Sequence, residues 1–260
     1  MSRRWLSAAL FGLSLVVGIV ALAMPFLRRA GAGGAALPAN QTPLLSVLLV
    51  SLCLAVLLVE LQGQAAGAKT VAALGILVAT AATLRFIEVA IPGPGGFSPI
   101  FAPIILGGYV FGPRFGFLLG AMTLLVSGII TAGVGPWLPY QMFTAGWVGL
   151  SAGWLPHLKQ PRAEVALLVV FGALWGFLFG AIMNLYTWPL LAGDPGQSWT
   201  PGAGAADALR RYLAFYLATS LLWDAVAAAG NALLLAGLGQ PTLRALARFR
   251  DRLQFEVRPA

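Results

Sequence analysis

Gly133-Val134-Gly135-Pro136-Trp137-Leu138-Pro139-Tyr140-Gln141-Met142-Phe143-Thr144-Ala145-Gly146-Trp147-Val148-Gly149-Leu150 opens as a turn and closes as an apolar helix. Two glycines and two prolines bend the chain at its start. Trp137 and Tyr140 follow at the level where amphipathic rings settle between water and lipid. Gln141 is the first polar group below them. Ala145, Gly146 and Gly149 then offer small residues that let helices approach closely. Two readings stay open on these residues alone. One is an aromatic belt over a tight interhelical turn; the other is the rim of a pocket that opens at one membrane face.

Working outward, the same apolar character holds along the chain. Of 260 residues, 59% are hydrophobic and only 9% charged, against roughly 25% charged in a soluble domain. Several continuous runs reach the ~20 residues needed to cross a bilayer as a helix. They do not alternate, so a barrel is excluded. The fold class expected is an all-α, multi-pass protein of the cell membrane. The net charge of +8 sits in short loops and the tail, which fits membrane orientation and argues against nucleic acid as a partner. Cys53 is the single cysteine and His157 the single histidine. These exclude an internal disulfide and a cysteine metal site, and no metal or cofactor is expected.

In chain order, Trp5 to Leu27 reads as a retained first helix and about Pro43 to Leu61 as a second. Gly63 to Thr70 imitates a phosphate loop. Ala68 stands where the second glycine must let backbone approach phosphate, and no strand precedes it, so ATP use must come from a partner. A third helix covers about Val71 to Ile91 and a short fourth Ser98 to Phe111. A fifth runs from Phe115 to Thr131, and the opening stretch supplies the sixth, to Leu155. A seventh covers Val165 to Trp188 and an eighth Leu209 to Leu238. The organisation expected is two N-terminal transmembrane helices over 1–62, a six-helix core over 63–241 and a basic cytoplasmic tail over 242–260.

With the N-terminus inside, Arg3, Arg4, Lys69, Arg114, Lys159, Arg162 and the tail arginines fall on the cytoplasmic side. Arg28, Arg29, Arg210 and Arg211 fall outside. That bias puts both termini in the cytoplasm. It also gathers Arg85 and Glu88, Trp137, Tyr140 and Gln141, and Asn184 and Trp188 at the outer ends of the crossings. Lipid-facing positions do not tolerate such charged and amide groups, so they face the bundle interior or a water-filled cavity. Arg85 and Glu88, three apart, can pair on one helix face. Gln141 and Asn184 would offer amides to a ligand, and the aromatic rings would wall it. Arg85 would take up a carboxylate or phosphate. Asp224 and Asn231, seven apart on the eighth helix, lie deeper, with no arginine at their depth, and read as structural, with a substrate-binding role as the alternative.

Tyr109-Val110-Phe111-Gly112-Pro113-Arg114-Phe115-Gly116, leading to Gly120-Ala121, resembles a helix turn in the substrate-binding S components of energy-coupling factor (ECF) transporters. The Gly135-to-Met142 stretch and Asn184-Leu185-Tyr186-Thr187-Trp188-Pro189 are similar to an uncharacterised branch of that family. The resemblance covers about Lys69 to Leu238. It implies a six-helix membrane protein that captures a vitamin or related micronutrient from outside. It implies as partners a transmembrane coupling subunit and two cytoplasmic ATPases. It further implies that small residues on the family's first helix contact the coupling subunit, here Ala68, Ala72, Gly75 and Ala79. The two extra N-terminal helices depart from the family pattern. The alternatives carried are a polytopic membrane enzyme acting on lipid or isoprenoid, for which no nucleophile–base set is visible, and a ligand-free membrane assembly factor.

Overall fold

The computed structural model describes residues 67–91, 95–191 and 193–253, with scattered positions between 9 and 55. All regular structure among them is helical. The helices are α1 (Gly67–Ala90), α2 (Phe101–Phe111), α3 (Pro113–Ile130), α4 (Leu138–Ala152), α5 (Pro161–Thr187), α6 (Ala205–Thr219) and α7 (Leu221–Leu253), with a 3-10 turn at Trp188–Leu190. Four stretches are long and apolar enough to cross a membrane: Thr70–Ala90, Pro113–Ile130, Pro161–Leu190 and Leu221–Asp251. The fold is that of an all-α membrane protein.

α2 is the centre of the bundle. Its 11 residues rise only about 16 Å, short of the ~30 Å hydrocarbon core. Ile104, Ile105, Leu106 and Tyr109 on it are almost wholly covered, and α1, α3, α4, α5 and α7 all pack against it. Lipid tails are as apolar as leucine, so burial from water does not hold these helices together; close packing does. The small residues of the opening stretch supply it. A Cβ placed on Gly149 would lie 2.0 Å from the Gly116 carbonyl oxygen, and one on Gly120 would lie 2.1 Å from that of Ala145. The backbones of α3 and α4 therefore touch, as the spacing of small residues predicts.

The expected eighth helix is two helices. α6 ends at Thr219, and Ser220 leaves helical geometry at φ −129°, ψ −25°. Thr219 and Ser220 sit side by side here. Such hydroxyls bond to nearby backbone and compete with the helical ladder, and Thr219 Oγ1 donates to the Phe215 carbonyl at 2.8 Å. α7 then restarts at Leu221 and runs through Pro241 to Leu253. The start of the expected tail, from Thr242, is thus continuous helix. It docks on the bundle, where Arg250 Nη1 donates to the Val110 carbonyl at 3.2 Å and Leu243 is buried. His157, the single histidine, is exposed and stacks on Tyr109 with ring centroids 4.4 Å apart.

Of the N-terminal run, positions 15–23 are helical. Gly18 lies against the Phe143 ring of α4, Ala21 is buried, and Phe26 meets the rings of Trp188 and Trp199. The linker, nearly all of the second expected helix, Pro92–Pro94 and residues 254–260 lie outside the described residues.

Candidate functional site: a charged cavity at one end of the bundle

A cavity of about 280 Å³ opens where α1 ends and α2, α4 and α7 begin. Of the seven helices α1 to α7, all but α6 contribute to its wall. Arg85 and Glu88 come from the last turns of α1, Ser98 from the segment before α2, Gln141 from α4, and Trp223 and Asp224 from the first turn of α7. Leu124, Ile100, Phe101 and Phe179 make the apolar part. This mixture, mostly apolar with a few converging polar groups, is the usual make-up of a small-molecule site.

The charges within it are organised in two ways. Arg85 Nη1 donates to Glu88 Oε1 at 2.8 Å and to Ser98 Oγ at 3.3 Å, and Ser98 donates to Glu88 Oε2 at 2.7 Å. The i,i+3 pair expected from sequence is therefore present, closed into a triangle by a serine from the next segment. Asp224 is different. It is only 8% exposed and no ion pair to it occurs among the described residues. Tyr216 is its side-chain hydrogen-bond partner, and its Oδ2 has none. Its carboxylate lies over the α5 backbone, where a Cβ on Gly180 would come within 2.0 Å of Oδ1.

The placement of Asp224 corrects the sequence reading of its depth. On a single helix from Leu209, Asp224 falls well into the membrane and away from Arg85. Because α7 restarts at Leu221, Asp224 occupies its first turn and shares the cavity with Arg85. Asn231, two turns on, donates from Nδ2 to the Gly172 carbonyl at 3.0 Å and ties α7 to α5, as a structural role predicts.

Of the seven side chains expected at a ligand site, Arg85, Glu88 and Gln141 line this cavity and four do not. Trp137 is 45% exposed and donates to the Gly133 carbonyl within its own turn. Tyr140 is buried against Tyr186, ring centroids 4.2 Å apart. Asn184 Nδ2 donates to Ser220 Oγ at 2.6 Å and so holds the α6–α7 break against α5. Trp188 is buried, donates to the Gln197 carbonyl at 2.6 Å and packs edge-on to Tyr212. The indole N–H groups of Trp137 and Trp188 and the Asn184 amide N–H have intramolecular acceptors, which sequence position cannot reveal. Ser98 was not anticipated. It carries no charge or aromatic ring, and only its contact with Glu88 marks it.

The small residues of α1 lie on its outer surface. Ala72, Gly75 and Ala79 are exposed, and nothing approaches a Cβ built on Gly75 within 4 Å. Ala73, Leu74, Val78, Ala81 and Ala82 form the opposite, buried face. Ala68 begins the same row in the first turn of the helix.

Comparison with known proteins adds one match. A family model described as "ECF transporter, substrate-specific component" matches residues 69–239, well over half of the chain and the whole of the cavity. No curated protein and no solved structure matches. With its all-helical, membrane-type bundle and a polar cavity between helix ends, the chain belongs to the substrate-specific components of the ECF transporters.

Proposed function

We propose that the cavity bounded by Arg85, Glu88, Ser98, Gln141 and Asp224 is the substrate site. On this reading the chain captures a vitamin or related micronutrient at the extracellular face. The observation that carries it is the convergence of charged and amide groups from α1, α4 and α7 on one partly apolar cavity at a single end of the bundle. Membrane proteins place such groups away from lipid, at sites that handle a ligand. The basic-residue bias supports that end as the outer one, with both termini cytoplasmic.

Transfer across the membrane is the work of partners. ECF substrate-specific components act with a transmembrane coupling subunit and ATPases. The row Ala68, Ala72, Gly75 and Ala79 on α1 is the surface proposed to meet that subunit. Small side chains let two helices approach until their backbones nearly touch, and those of this row whose side chains are described are not used within the bundle. The family is one of transport proteins, and no enzymatic role is assigned. The test is capture of a small molecule. The purified chain, incubated with a metabolite mixture, washed and denatured, should release a compound detectable by mass spectrometry. A Gln141→Ala variant that is folded should release less of it. Release of nothing above a control membrane protein would refute the reading.

A further inference from the structure

Resting on that reading of the cavity, we infer that its substrate is a small organic cation: an apolar or aromatic body carrying a positively charged nitrogen with an N–H to donate. Three charged side chains line the cavity, Arg85, Glu88 and Asp224. With all three ionised the wall carries one excess negative charge. The charge of the guanidinium is already paired, since Arg85 Nη1 donates to both Glu88 and Ser98. Asp224 is left over. It is 92% covered (8% exposed), and its Oδ2 has no hydrogen-bond partner. Tyr216 serves one side of the carboxylate, and Gly180 leaves room for it against α5. The N-terminal end of α7 adds a favourable partial charge but no donor to Oδ2.

A buried carboxylate oxygen without a donor is costly, and the cost is relieved by a group that brings both a proton to share and a positive charge. A carboxylate or phosphate ligand would do the reverse. It would face Asp224 as a like charge and would have to share a guanidinium whose charge Glu88 already neutralises. The rest of the wall suits the body of such a cation. Ile100, Phe101 and Phe179 are apolar, and Trp223 offers the ring type most favourable to a cation. Trp223, 55% exposed, has its ring against Gly95 and its backbone against Gly96, both in the segment between α1 and α2. A volume of about 280 Å³ restricts the substrate to one or two rings or a compact amine.

The test uses the full chain in detergent micelles and a bacterial small-molecule extract split by ion exchange at neutral pH into cationic, neutral and anionic pools. Each pool is titrated while thermal unfolding is followed. The cationic pool should raise the melting temperature of the parent at the greatest dilution. Losing a charged hydrogen bond corresponds to roughly 10- to 150-fold in affinity, so Asp224→Asn should need that much more of the pool. Without additions Asp224→Asn should melt at or above the parent, because it removes an unpaired buried charge. If that variant does not fold, the comparison of pools on the parent decides alone. Protection from the neutral or anionic pool, with none from the cationic pool, overturns the cation while leaving the substrate-binding reading intact. Undiminished protection of folded Asp224→Asn by the cationic pool overturns the role of Asp224. Protection by no pool overturns the substrate-binding reading and this inference with it.

Discussion

Gly149→Ala and Gly75→Ala exchange the same residues in helices of the same protein and should have opposite effects. At Gly149 the new methyl would sit 2.0 Å from the Gly116 carbonyl oxygen and 2.4 Å from its carbon. Ordinary contact begins near 3.4 Å, so α3 and α4 must part by more than an ångström. The obstructing atoms are backbone, which cannot rotate aside as a side chain could. Parting the helices would also loosen the Gly120–Ala145 approach one turn away. Overpacking of this kind costs about 1–3 kcal/mol, and a backbone obstruction points to the upper end. At roughly 2–4 °C per kcal/mol for a chain of this size, that is a fall of about 6–12 °C in melting temperature. At Gly75 nothing lies within 4 Å. Alanine there should add about 0.5–1 kcal/mol, because glycine is a poor helix residue. Both variants are melted in detergent with tryptophan fluorescence as the readout. If Gly149→Ala melts with the parent, or Gly75→Ala falls as far as Gly149→Ala, the account of backbone contact between α3 and α4 is wrong.

Other outcomes follow from the placement of single residues. Gln141→Ala should weaken capture of the substrate by about 5- to 150-fold, the equivalent of about 1–3 kcal/mol for a lost buried hydrogen bond, measured by titration against the compound once released. Asn184→Ala should instead lower the melting temperature, because Ser220 loses its 2.6 Å partner at the α6–α7 break. A larger effect on substrate affinity than on melting would contradict that assignment. Gly75→Trp should block uptake by the assembled transporter and spare substrate binding, since it obstructs only the exposed face of α1; equal loss of both would point to misfolding. A cysteine placed at Lys159 should resist membrane-impermeant labelling in intact cells, and ready labelling would reverse the proposed orientation.

Much of this architecture is legible along the chain because bilayer physics acts locally. Length and apolarity of a run decide whether it can span, which is why the boundaries of α1, α3 and α5 match the expected crossings closely. The Gly112-Pro113 turn is set by local chemistry too, since Pro113 opens α3 at a position where its missing N–H costs nothing. The small residues of α4 announce a close contact, and the Arg85–Glu88 spacing announces a pair. What residue order cannot settle is which partner answers each polar group. Asn184 and Trp188 read like ligand contacts until Ser220 and Gln197 occupy their donors. Ser98 has no signature until Glu88 is found beside it. Asp224 depends on tertiary structure most. The break at Ser220 is a balance between helical hydrogen bonds and those offered by neighbouring hydroxyls and by Asn184 on another helix. That balance moves Asp224 from mid-membrane to the first turn of α7, into the cavity that Arg85 and Gln141 already share. Local periodicity fixes which residues are helical, but a carboxylate's depth and neighbours are set only when separate helices pack.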